Sequence, residues 1–347
     1  MLNTKTFFIK DDYSEIAKFL QNEKVVFLGG ETALIKTMEK LECFLTDIDY
    51  TTLVYGKECT HEIIQKWAND PVISNCTVMV GVGGGKAIDT AKAVAKQASK
   101  KIYTLATIAS TCAATSSVSV VYTDEHKYLD VIELDVPPLI CFIPLEIIAE
   151  APVHFMWAGI GDTLAKPVEM NMTLRHREQT VVMQLALNIT QLCLSECMTY
   201  GKEALASNQK KEVTLPLEHS AYAIIANTGF ASSLMPLRYG TSLAHSIHNA
   251  LTHFKPIKEH HHIHGEIVAY GILVLLNMDH QVDLHDKLTS FYKTIGLPTK
   301  LKDLDMNNDL ETLDLLIKKT LEDEFLVESC YEMTFEMVKE AMIHQEA

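Results

Sequence analysis

The sequence has no excess of basic residues. Lys and Arg number 30 against 45 Asp and Glu, which gives a formal net charge of −15. Because so acidic a chain repels a phosphate backbone, we exclude nucleic acid as a partner. No apolar run reaches the length that spans a bilayer, and acidic residues come too early at the amino terminus for a signal peptide. We therefore expect a cytoplasmic protein that does not bind a membrane.

Paired cysteine motifs are also missing. The eight cysteines are scattered without CxxC spacing, so we interpret them as reduced thiols and exclude a disulfide framework. Cys193 and Cys197 lie one helical turn apart and could share a metal, but an apolar helix more often buries such thiols as small hydrophobic groups. There is no internal repeat and no low-complexity tract; the densest bias is a histidine cluster at 260 to 264.

The length and the apolar content indicate two folded domains. The chain has 347 residues, of which 48% are hydrophobic, so it exceeds one typical core and is globular. Through residues 1–150, short apolar runs alternate with helical patterns, as in parallel βαβ units. This pattern predicts an α/β Rossmann-like domain with a parallel sheet. The predicted strands are Lys24–Leu28, Asp49–Val54, Cys76–Val80, Ile102–Ala106 and Leu139–Ile143.

After Pro152 the strand signals end. Apolar residues spaced by three or four continue through Met342, which predicts an all-α domain over residues 151–347. Pro144 and Pro152 bracket the change of period and predict a hinge between the domains. We expect cofactor and metal to meet in the interdomain cleft, as ligands of open α/β sheets bind beyond the carboxyl ends of the strands.

A glycine-rich turn joins the third predicted strand to a helix. The segment GVGGGKAIDTAKA places Gly83, Gly84, Gly85 and Lys86 between them. Glycines let a backbone approach a pyrophosphate closely, and the free N–H groups that open the helix face the anion. An ordinary tight turn is the alternative. The order of strand, glycines, lysine and helix favours phosphate binding.

A second set of residues has the chemistry of a metal site. His245 and His248 stand three residues apart and share one helix face, His264 opens another helix, and Asp162 follows the hinge. Two imidazoles and one carboxylate from separate helices can bind Zn²⁺ and leave one coordination position open, as in a catalytic site. Most histidines on helices are surface or core residues, so spacing alone leaves this site a hypothesis.

The order of motifs resembles the glycerol dehydrogenase branch of the iron-containing (group III) alcohol dehydrogenase superfamily. The resemblance covers nearly the whole chain. It is carried by GVGGGKAIDTAKA, TIASTCAATSSVSVVYT, APVHFMWAGIGDTLAK, GTSLAHSIHNALTHF and HIHGEIVAYG. It implies that Asp162, His245 and His264 are the metal ligands and that His248 is a proton-relay or supporting residue.

The same resemblance implies a set of residues that bind the dinucleotide. These are Gly83, Gly84, Gly85, Lys86 and Asp89 at the pyrophosphate turn, Thr107 and Ser110 beside the cofactor, and Ser116, Val118 and Tyr122 near the nicotinamide and ribose. Without the resemblance, plain strand alternation would account for Ser116 and Val118.

Three departures from the family pattern limit what carries over. Cys112 stands where glycerol dehydrogenases commonly have an aspartate that helps to hold substrate, so we expect it at the substrate end of the site. Lys166 replaces a histidine ligand of the iron-dependent branch, which favours zinc over iron. After the first strand, Gly30 could make room for the 2′-phosphate of NADP, whereas Glu31 would repel it. The choice between NAD and NADP as the cofactor stays open.

The resemblance implies a metal-dependent oxidoreductase that transfers a hydride between NAD(P) and a small alcohol, polyol or hydroxyketone. We expect one divalent metal, a small-molecule substrate and a homo-oligomer. Three alternatives stay open. The first is a reductase of small 2-oxo acids, with Lys166 as the carboxylate contact. The second is a lyase related to dehydroquinate synthase, for which Lys255 and Lys258 are the cations near the metal. The third is a non-catalytic nucleotide-binding protein.

Overall fold

The computed structural model describes residues 4–347, which divide into two compact units. The first unit consists of the chain up to Met156 together with Glu203–Ser233. The second consists of Trp157–Lys202 and Leu234–Ala347. Residues 203–233, which the division at residue 150 assigns to the helical domain, thus pack with the first unit. The functional division at residue 150 stays a prediction.

The first unit is built on a parallel sheet of six strands in the order β1-β8-β5-β4-β2-β3. The strands of this sheet are β1 (Lys5–Ile9), β2 (Lys24–Gly29), β3 (Asp49–Val54), β4 (Val78–Gly83), β5 (Lys101–Ala106) and β8 (Ile140–Pro144). Strands β6 (Val118–Tyr122) and β7 (Tyr128–Glu133) form a separate antiparallel hairpin.

Most of the other regular elements of the described chain are α-helices. They are α1 (Ser14–Leu20), α2 (Glu31–Leu41), α3 (His61–Ala68), α4 (Pro71–Asn75), α5 (Gly85–Gln97), α6 (Leu145–Glu150), α7 (Val153–Leu174), α8 (Val181–Lys210), α9 (Leu215–Tyr222), α10 (Thr228–Leu234), α11 (Leu243–Leu251), α12 (Lys255–Glu259), α13 (His264–Met278), α14 (Val282–Ile295), α15 (Leu310–Leu321) and α16 (Phe335–Glu346). A π-helical turn, Ala223–Asn227, separates α9 from α10.

Side chains alternate between the two faces of the sheet and form a core on each. Val25 and Phe27 of β2 pack in one core with residues of α1 and α2, while Val26 and Leu28 pack in the other with residues of α3 and α5. Strands buried on both faces read as continuous apolar runs, which is why their sequence signal is strong. All five predicted strands are confirmed, with ends that differ by at most three residues.

The sequence reasoning missed strands β1 and β7, and it gave a strand at β6 only as the alternative interpretation of Ser116 and Val118. Strand β1 is a short edge strand that pairs only with β8, so its half-buried residues give a weak apolar signal. Hairpin strands β6 and β7 have mixed burial and are joined by a turn in which His126 has a φ of 63°. The absence of strands after Pro152 is confirmed for the described residues, and α7 begins directly after this proline.

Helix α8 corrects one expectation from the sequence. It is long and apolar enough to cross a membrane by length and composition, with a mean hydropathy of 1.3 over its most apolar window. Only 22% of that window is buried in the protein. Polar residues such as Asn188 and Gln191 interrupt the apolar runs of this helix. No single run is therefore long, although the mean hydropathy of the window is high. The absence of a membrane partner stays a prediction.

A bidentate ion pair ties α7 to the end of α13. The guanidinium of Arg175 donates to both carboxylate oxygens of Asp279 at 2.7 and 2.5 Å, and Tyr331 donates to the same carboxylate at 3.1 Å. Burial alone would raise the pKa of Asp279, but the hydrogen bonds from Arg175 and Gln281 hold it below its ordinary value. A carboxyl group whose pKa is lowered by folding stabilises the protein at neutral pH and ceases to do so in acid.

We expect Asp279→Asn to lower the free energy of unfolding at pH 7 by about 1.5–3 kcal/mol, the range for a hydrogen bond to a charged group. The difference from wild type should shrink as the pH falls below about 4, because Asp279 then binds a proton in the unfolded chain and, at still lower pH, in the folded protein as well. Urea unfolding followed by circular dichroism measures both. Exposed Asp283→Asn is the matched control, and an equal loss there, or a difference independent of pH, would contradict the assignment.

Candidate metal centre and cofactor site

The glycine turn lies where strand β4 ends and helix α5 begins. Gly83 has a φ of +143°, a conformation that L side chains rarely adopt. A Cβ on Gly84 would lie 2.3 Å from Ile108 Cδ1, and one on Gly85 would lie 3.2 Å from Thr111 Oγ1. The chain at 107–111 therefore packs directly against this turn. Glycine is required here by the backbone conformation and by the close approach of the next loop.

The first turn of α5 is open to an anion. Gly84 is its N-cap and offers no side-chain acceptor, so no capping group satisfies the helix amides. Helix N-termini of this kind bind phosphate groups. Predicted cofactor residues cluster around it: the Thr107 amide donates to Gly83 O at 3.1 Å, and a Cβ on Gly84 would be 3.9 Å from Ser110 Oγ.

A buried lysine of α5 holds the segment that contains Ser116 and Val118. Lys92 is fully buried, and its ammonium lies 2.9 Å from Asp89 Oδ1 and 3.3 Å from Ser116 Oγ. It also donates to the carbonyl of Val118. The other oxygen of Asp89 accepts the amide of Val120 at 3.2 Å. Asp89 is thus a partner of the 116–120 segment, and Lys92 is a supporting residue that the sequence reasoning missed.

Lys86 takes part in a second link. Its ammonium lies 2.5 Å from Glu58 Oε2 and 5.2 Å from the ring centroid of Tyr122. Glu58 is buried and also contacts His126 Nδ1. The structure therefore brings Lys86 and Tyr122 together and surrounds Lys86 with groups that hold its charge near the glycine turn.

The loop that carries Cys112 packs on residues 225–229. The carbonyl of Cys112 accepts the amides of Thr115 and Ser116 at 3.0 and 3.1 Å, and Thr115 Oγ1 donates to the carbonyl of Ile225 in the π-helical turn. A Cβ on Gly229 would lie only 1.8 Å from Thr115 Oγ1. This contact is one of those that join residues 203–233 to the first unit.

Three predicted metal ligands meet in the second unit. One ligand atom from each of Asp162, His245 and His264 lies within 4.8 Å of the others. The Nε2 atoms of His245 and His264 are 3.5 and 3.3 Å from Asp162 Oδ1. These separations are long for hydrogen bonds, but they match the distance of about 3.4 Å between ligands that each bind zinc at about 2.1 Å in a tetrahedron.

The burial of this cluster fits a metal. Asp162 is 5% exposed, and among the described residues its Oδ1 is one of two buried carboxylate oxygens without a hydrogen-bond partner. Buried polar atoms are almost always satisfied, so an unpaired carboxylate oxygen that faces two imidazoles suits a bound cation. The donor set of one oxygen and two nitrogens suits a borderline divalent ion.

Glu169 orients His245. This fully buried carboxylate lies 2.6 Å from His245 Nδ1 and accepts the amides of Ser242 and His245 at 2.8 and 3.0 Å. It both caps the start of α11 and fixes the imidazole. Because a carboxylate accepts, Nδ1 carries the hydrogen and Nε2 presents its lone pair to Asp162. Glu169 was missed, although it lies seven residues after Asp162 on the same helix.

A directed chain of hydrogen bonds orients His264. Asn249 Nδ2 donates to Asp323 at 2.8 Å, which turns Asn249 Oδ1 toward His248 Nδ1 at 3.0 Å. His248 Nδ1 is then the donor and its Nε2 accepts from His264 Nδ1 at 3.1 Å. This leaves the Nε2 lone pair of His264 facing Asp162. His248 thus contacts a predicted ligand, and the chain ends at an amide that cannot pass a proton on.

The electrostatics of the cluster agree with these roles. Burial alone would raise the pKa of Asp162, but His264 and His245 hold it well below its ordinary value. Burial and His264 lower the pKa of His248 well below its usual range, so this imidazole is neutral, as the chain requires. Burial would lower the pKa of His245, yet Glu169 and Asp162 outweigh it and raise the value to about 9. Metal binding therefore competes with a proton at His245.

Two other residues singled out by the sequence are engaged elsewhere. Lys166 is buried and donates to the carbonyl of Gly240 at 3.2 Å, just before α11. Cys193 and Cys197 are fully buried in α8, where burial and Cys193 raise the pKa of Cys197 well above its usual value. A neutral thiol is a poor metal ligand, which agrees with the interpretation of these cysteines as core residues.

We expect Glu169→Gln to weaken metal binding by about 10–100-fold, the usual effect of losing a carboxylate that supports a histidine ligand. One amide oxygen cannot accept all three hydrogens that Glu169 now accepts. Competition with a chromophoric chelator measures the affinity, and exposed Glu340→Gln on α16 is the control. Unchanged affinity in a folded Glu169→Gln protein would show that His245 does not depend on this carboxylate.

Comparison with known proteins agrees with this geometry. A model of the iron-containing alcohol dehydrogenase family matches residues 3–143. A glycerol dehydrogenase of Thermotoga maritima is 34% identical over 76% of this chain and 71% of its own. Hydroxycarboxylate dehydrogenase A of Escherichia coli is 32% identical over 87% of this chain and 83% of its own. The solved glycerol dehydrogenase of Schizosaccharomyces pombe has a TM-score of 0.89 at 26% identity, covering 100% of this chain and 90% of that one.

This level of identity, over most of both chains, makes the protein an alcohol dehydrogenase that works with a nicotinamide cofactor and a metal. The chain belongs to the iron-containing alcohol dehydrogenase family, in its glycerol dehydrogenase-like branch.

Proposed function

We propose that the protein interconverts small polyols and hydroxyketones, using NAD(H) and a zinc ion held by Asp162, His245 and His264. The observation that carries the proposal is the pair of oriented imidazoles. Glu169 directs one and His248 the other, so that both Nε2 lone pairs face one buried carboxylate oxygen. The names of the glycerol dehydrogenases among its relatives support the substrate class.

In this proposal the residues of the second unit hold the reacting hydroxyl. When bound, a divalent metal lowers the pKa of an alcohol, and the nicotinamide ring accepts the hydride. Asp162, His245 and His264 would occupy three positions and leave one for substrate. Glu169, His248 and Asn249 fix the ligands, so the site need not reorganise when substrate arrives. We assign His248 to this supporting role, because its outer neighbour Asn249 cannot relay a proton.

The residues of the first unit would hold the dinucleotide. The amides of Gly84 and Gly85 at the start of α5 would bind the pyrophosphate, with Lys86 beside them. Thr107 and Ser110 would lie along the cofactor. Lys92 and Asp89 hold the segment that contains Ser116 and Val118, which would carry the nicotinamide. Accurate placement of the acceptor ring is worth much of the rate in a hydride transfer.

NAD and zinc are the finer parts of the proposal. Glu31 is exposed at the start of α2, directly after Gly30, where its charge would oppose a 2′-phosphate. Lys166 donates to the carbonyl of Gly240 and does not serve as a fourth ligand. A site with three protein ligands favours zinc over iron. A cytoplasmic location and a homo-oligomeric state stay predictions.

A reductase of 2-oxo acids is the second candidate, because one relative is a hydroxycarboxylate dehydrogenase. Its substrate carboxylate would need a cation, and Lys166 was the candidate from the sequence. The buried hydrogen bond from Lys166 to Gly240 speaks against that role.

The lyase alternative depends on Lys255 and Lys258 as cations near the metal. Lys255 is instead paired with Glu259 at 3.2 Å on an exposed helix, which speaks against this alternative.

A substrate panel tests the proposal. Chelator-treated enzyme, reloaded with Zn²⁺ or Fe²⁺, is assayed with glycerol, 1,2-propanediol, dihydroxyacetone and small 2-oxo acids, each with NAD(H) and NADP(H). We expect the highest kcat/KM with a diol or hydroxyketone, NAD(H) and Zn²⁺. Preference for a 2-oxo acid would overturn the substrate class, and activity without any divalent metal would overturn the mechanism.

Cys112 provides a test of substrate choice within the polyols. A neutral thiol is a weak hydrogen-bond partner, so we expect glycerol to be a poorer substrate than simpler diols. Cys112→Asp should raise kcat/KM for glycerol relative to 1,2-propanediol by about tenfold or more, as one charge-assisted hydrogen bond of about 1.5–3 kcal/mol allows. Cys43→Asp, at an exposed cysteine, is the control. Efficient glycerol oxidation by wild type, or an unmoved ratio in Cys112→Asp, would refute this role.

A further inference from the structure

A second group of potential metal ligands lies outside the site described above. His260 and His262, in the loop between α12 and α13, both contact Asp305, which follows the short 3₁₀ turn Leu301–Leu304. His262 Nε2 is 3.0 Å and His260 Nδ1 is 3.3 Å from the same oxygen, Asp305 Oδ2. We call these three residues the loop cluster.

The loop cluster shares the donor set and the nitrogen-to-oxygen distances of the first centre, but its two imidazoles lie farther apart: among the described residues, only the first centre has three ligand atoms within 4.8 Å of one another. There, two imidazole nitrogens lie 3.5 and 3.3 Å from one oxygen of Asp162. In the loop cluster the corresponding distances to one oxygen of Asp305 are 3.0 and 3.3 Å. The ring centroids of the two histidines are 5.3 Å apart in the first centre and 6.3 Å apart in the loop cluster. Since His260 is half-exposed, its ring can turn to close the small difference.

The loop cluster also has its own supporting carboxylate. Glu266 Oε1 lies 2.9 Å from His262 Nδ1, and Glu266 Oε2 accepts the amide of Ile263 at 3.1 Å. Glu169 supports His245 in the same way, with one carboxylate that binds both the Nδ1 atom and the backbone. In both cases the carboxylate holds Nδ1 and turns Nε2 toward the ligand oxygen. The side chain of His262 is only 9% exposed, so its orientation is fixed by this packing.

We propose that the loop cluster is a second divalent metal site, formed by His260, His262 and Asp305 and supported by Glu266. Two imidazole nitrogens and one carboxylate oxygen select zinc, nickel or copper rather than magnesium or calcium. The side chains of His260 and Asp305 are 55% and 47% exposed, so water completes the coordination and the ion exchanges more readily than in the buried centre. Occupancy ties the loop that leads to His264 to the turn at Asp305.

The site is tested by counting bound ions. Protein stripped with a chelator is titrated with Zn²⁺ against a chromophoric chelator. We expect two equivalents for wild type, the second weaker than the first. His260→Ala and Asp305→Asn should each lose the weaker equivalent alone; asparagine tolerates the φ of 55° at position 305. Asp162→Asn should lose the stronger equivalent and keep the weaker one, which separates this proposal from the proposed function.

Two further measurements make the result decisive. His344→Ala removes an exposed histidine that bonds to Asn277 and faces no carboxylate, so it should keep both equivalents. Mg²⁺ at the same concentration should not compete for the weaker site. A single Zn²⁺ equivalent in wild type, or a weaker equivalent that persists in both His260→Ala and Asp305→Asn, would overturn the proposal.

Discussion

Asp162→Asn is expected to abolish metal binding at the first centre and to lower kcat/KM by about 1000-fold or more. The estimate follows from the several kcal/mol by which a metal stabilises developing charge, at about 1.4 kcal/mol for each factor of ten. Asparagine has nearly the same shape, so packing should survive. Its neutral amide cannot compensate the positive ion between two imidazoles, and the two histidines lose the carboxylate toward which both are directed.

The readouts separate loss of the metal from loss of the fold. Zn²⁺ affinity is measured by chelator competition, dinucleotide affinity by titration calorimetry, and the fold by circular dichroism. We expect the first to fall and the other two to stay near wild type, because Asp162 belongs to the second unit and the glycine turn to the first. Asp283→Asn, at an exposed position of α14, should change none of them. Wild-type activity in metal-free Asp162→Asn would refute a metal-dependent mechanism.

The sheet could be predicted because its strands are buried on both faces. Continuous apolar runs such as Lys24–Leu28 and Ile102–Ala106 have no competing interpretation when a helical pattern follows. The edge strand β1 and the hairpin strands β6 and β7 bury only part of their surface, and their signal is correspondingly weak. The packing of residues 203–233 with the first unit depends on contacts such as Thr115 with Ile225, 110 residues apart, which no local pattern reports.

Some residues of the candidate site could likewise be predicted from the sequence, and others could not. Residues whose chemistry is unusual in its context, such as the glycine turn and the histidines on α11, could be found from type and spacing. The residues that orient them could not. Glu169, Asn249 and Lys92 look like ordinary polar positions of amphipathic helices. Only the fold reveals that each is buried against a predicted residue of the metal site or cofactor segment.

Two separate causes require glycine at position 84. A side chain at position 84 would block the approach of the pyrophosphate to the backbone. Its Cβ would also overlap Ile108 Cδ1 at 2.3 Å, so the turn and the 107–111 loop would have to separate. Both causes act on cofactor binding, but only the first depends on a bound phosphate.

Gly84→Val is therefore expected to weaken NAD(H) binding by about 100-fold or more, equivalent to about 3 kcal/mol, because amide contacts to an anion are lost. The double variant Gly84→Val with Ile108→Ala separates the two causes, since it removes the side chain that valine would strike. We expect it to regain stability but not NAD(H) affinity, as measured by calorimetry and thermal unfolding. Gln97→Val, an exposed position at the other end of α5, controls for a valine in this helix. Recovery of affinity in the double variant would mean that internal packing, and not phosphate binding, requires glycine at this position.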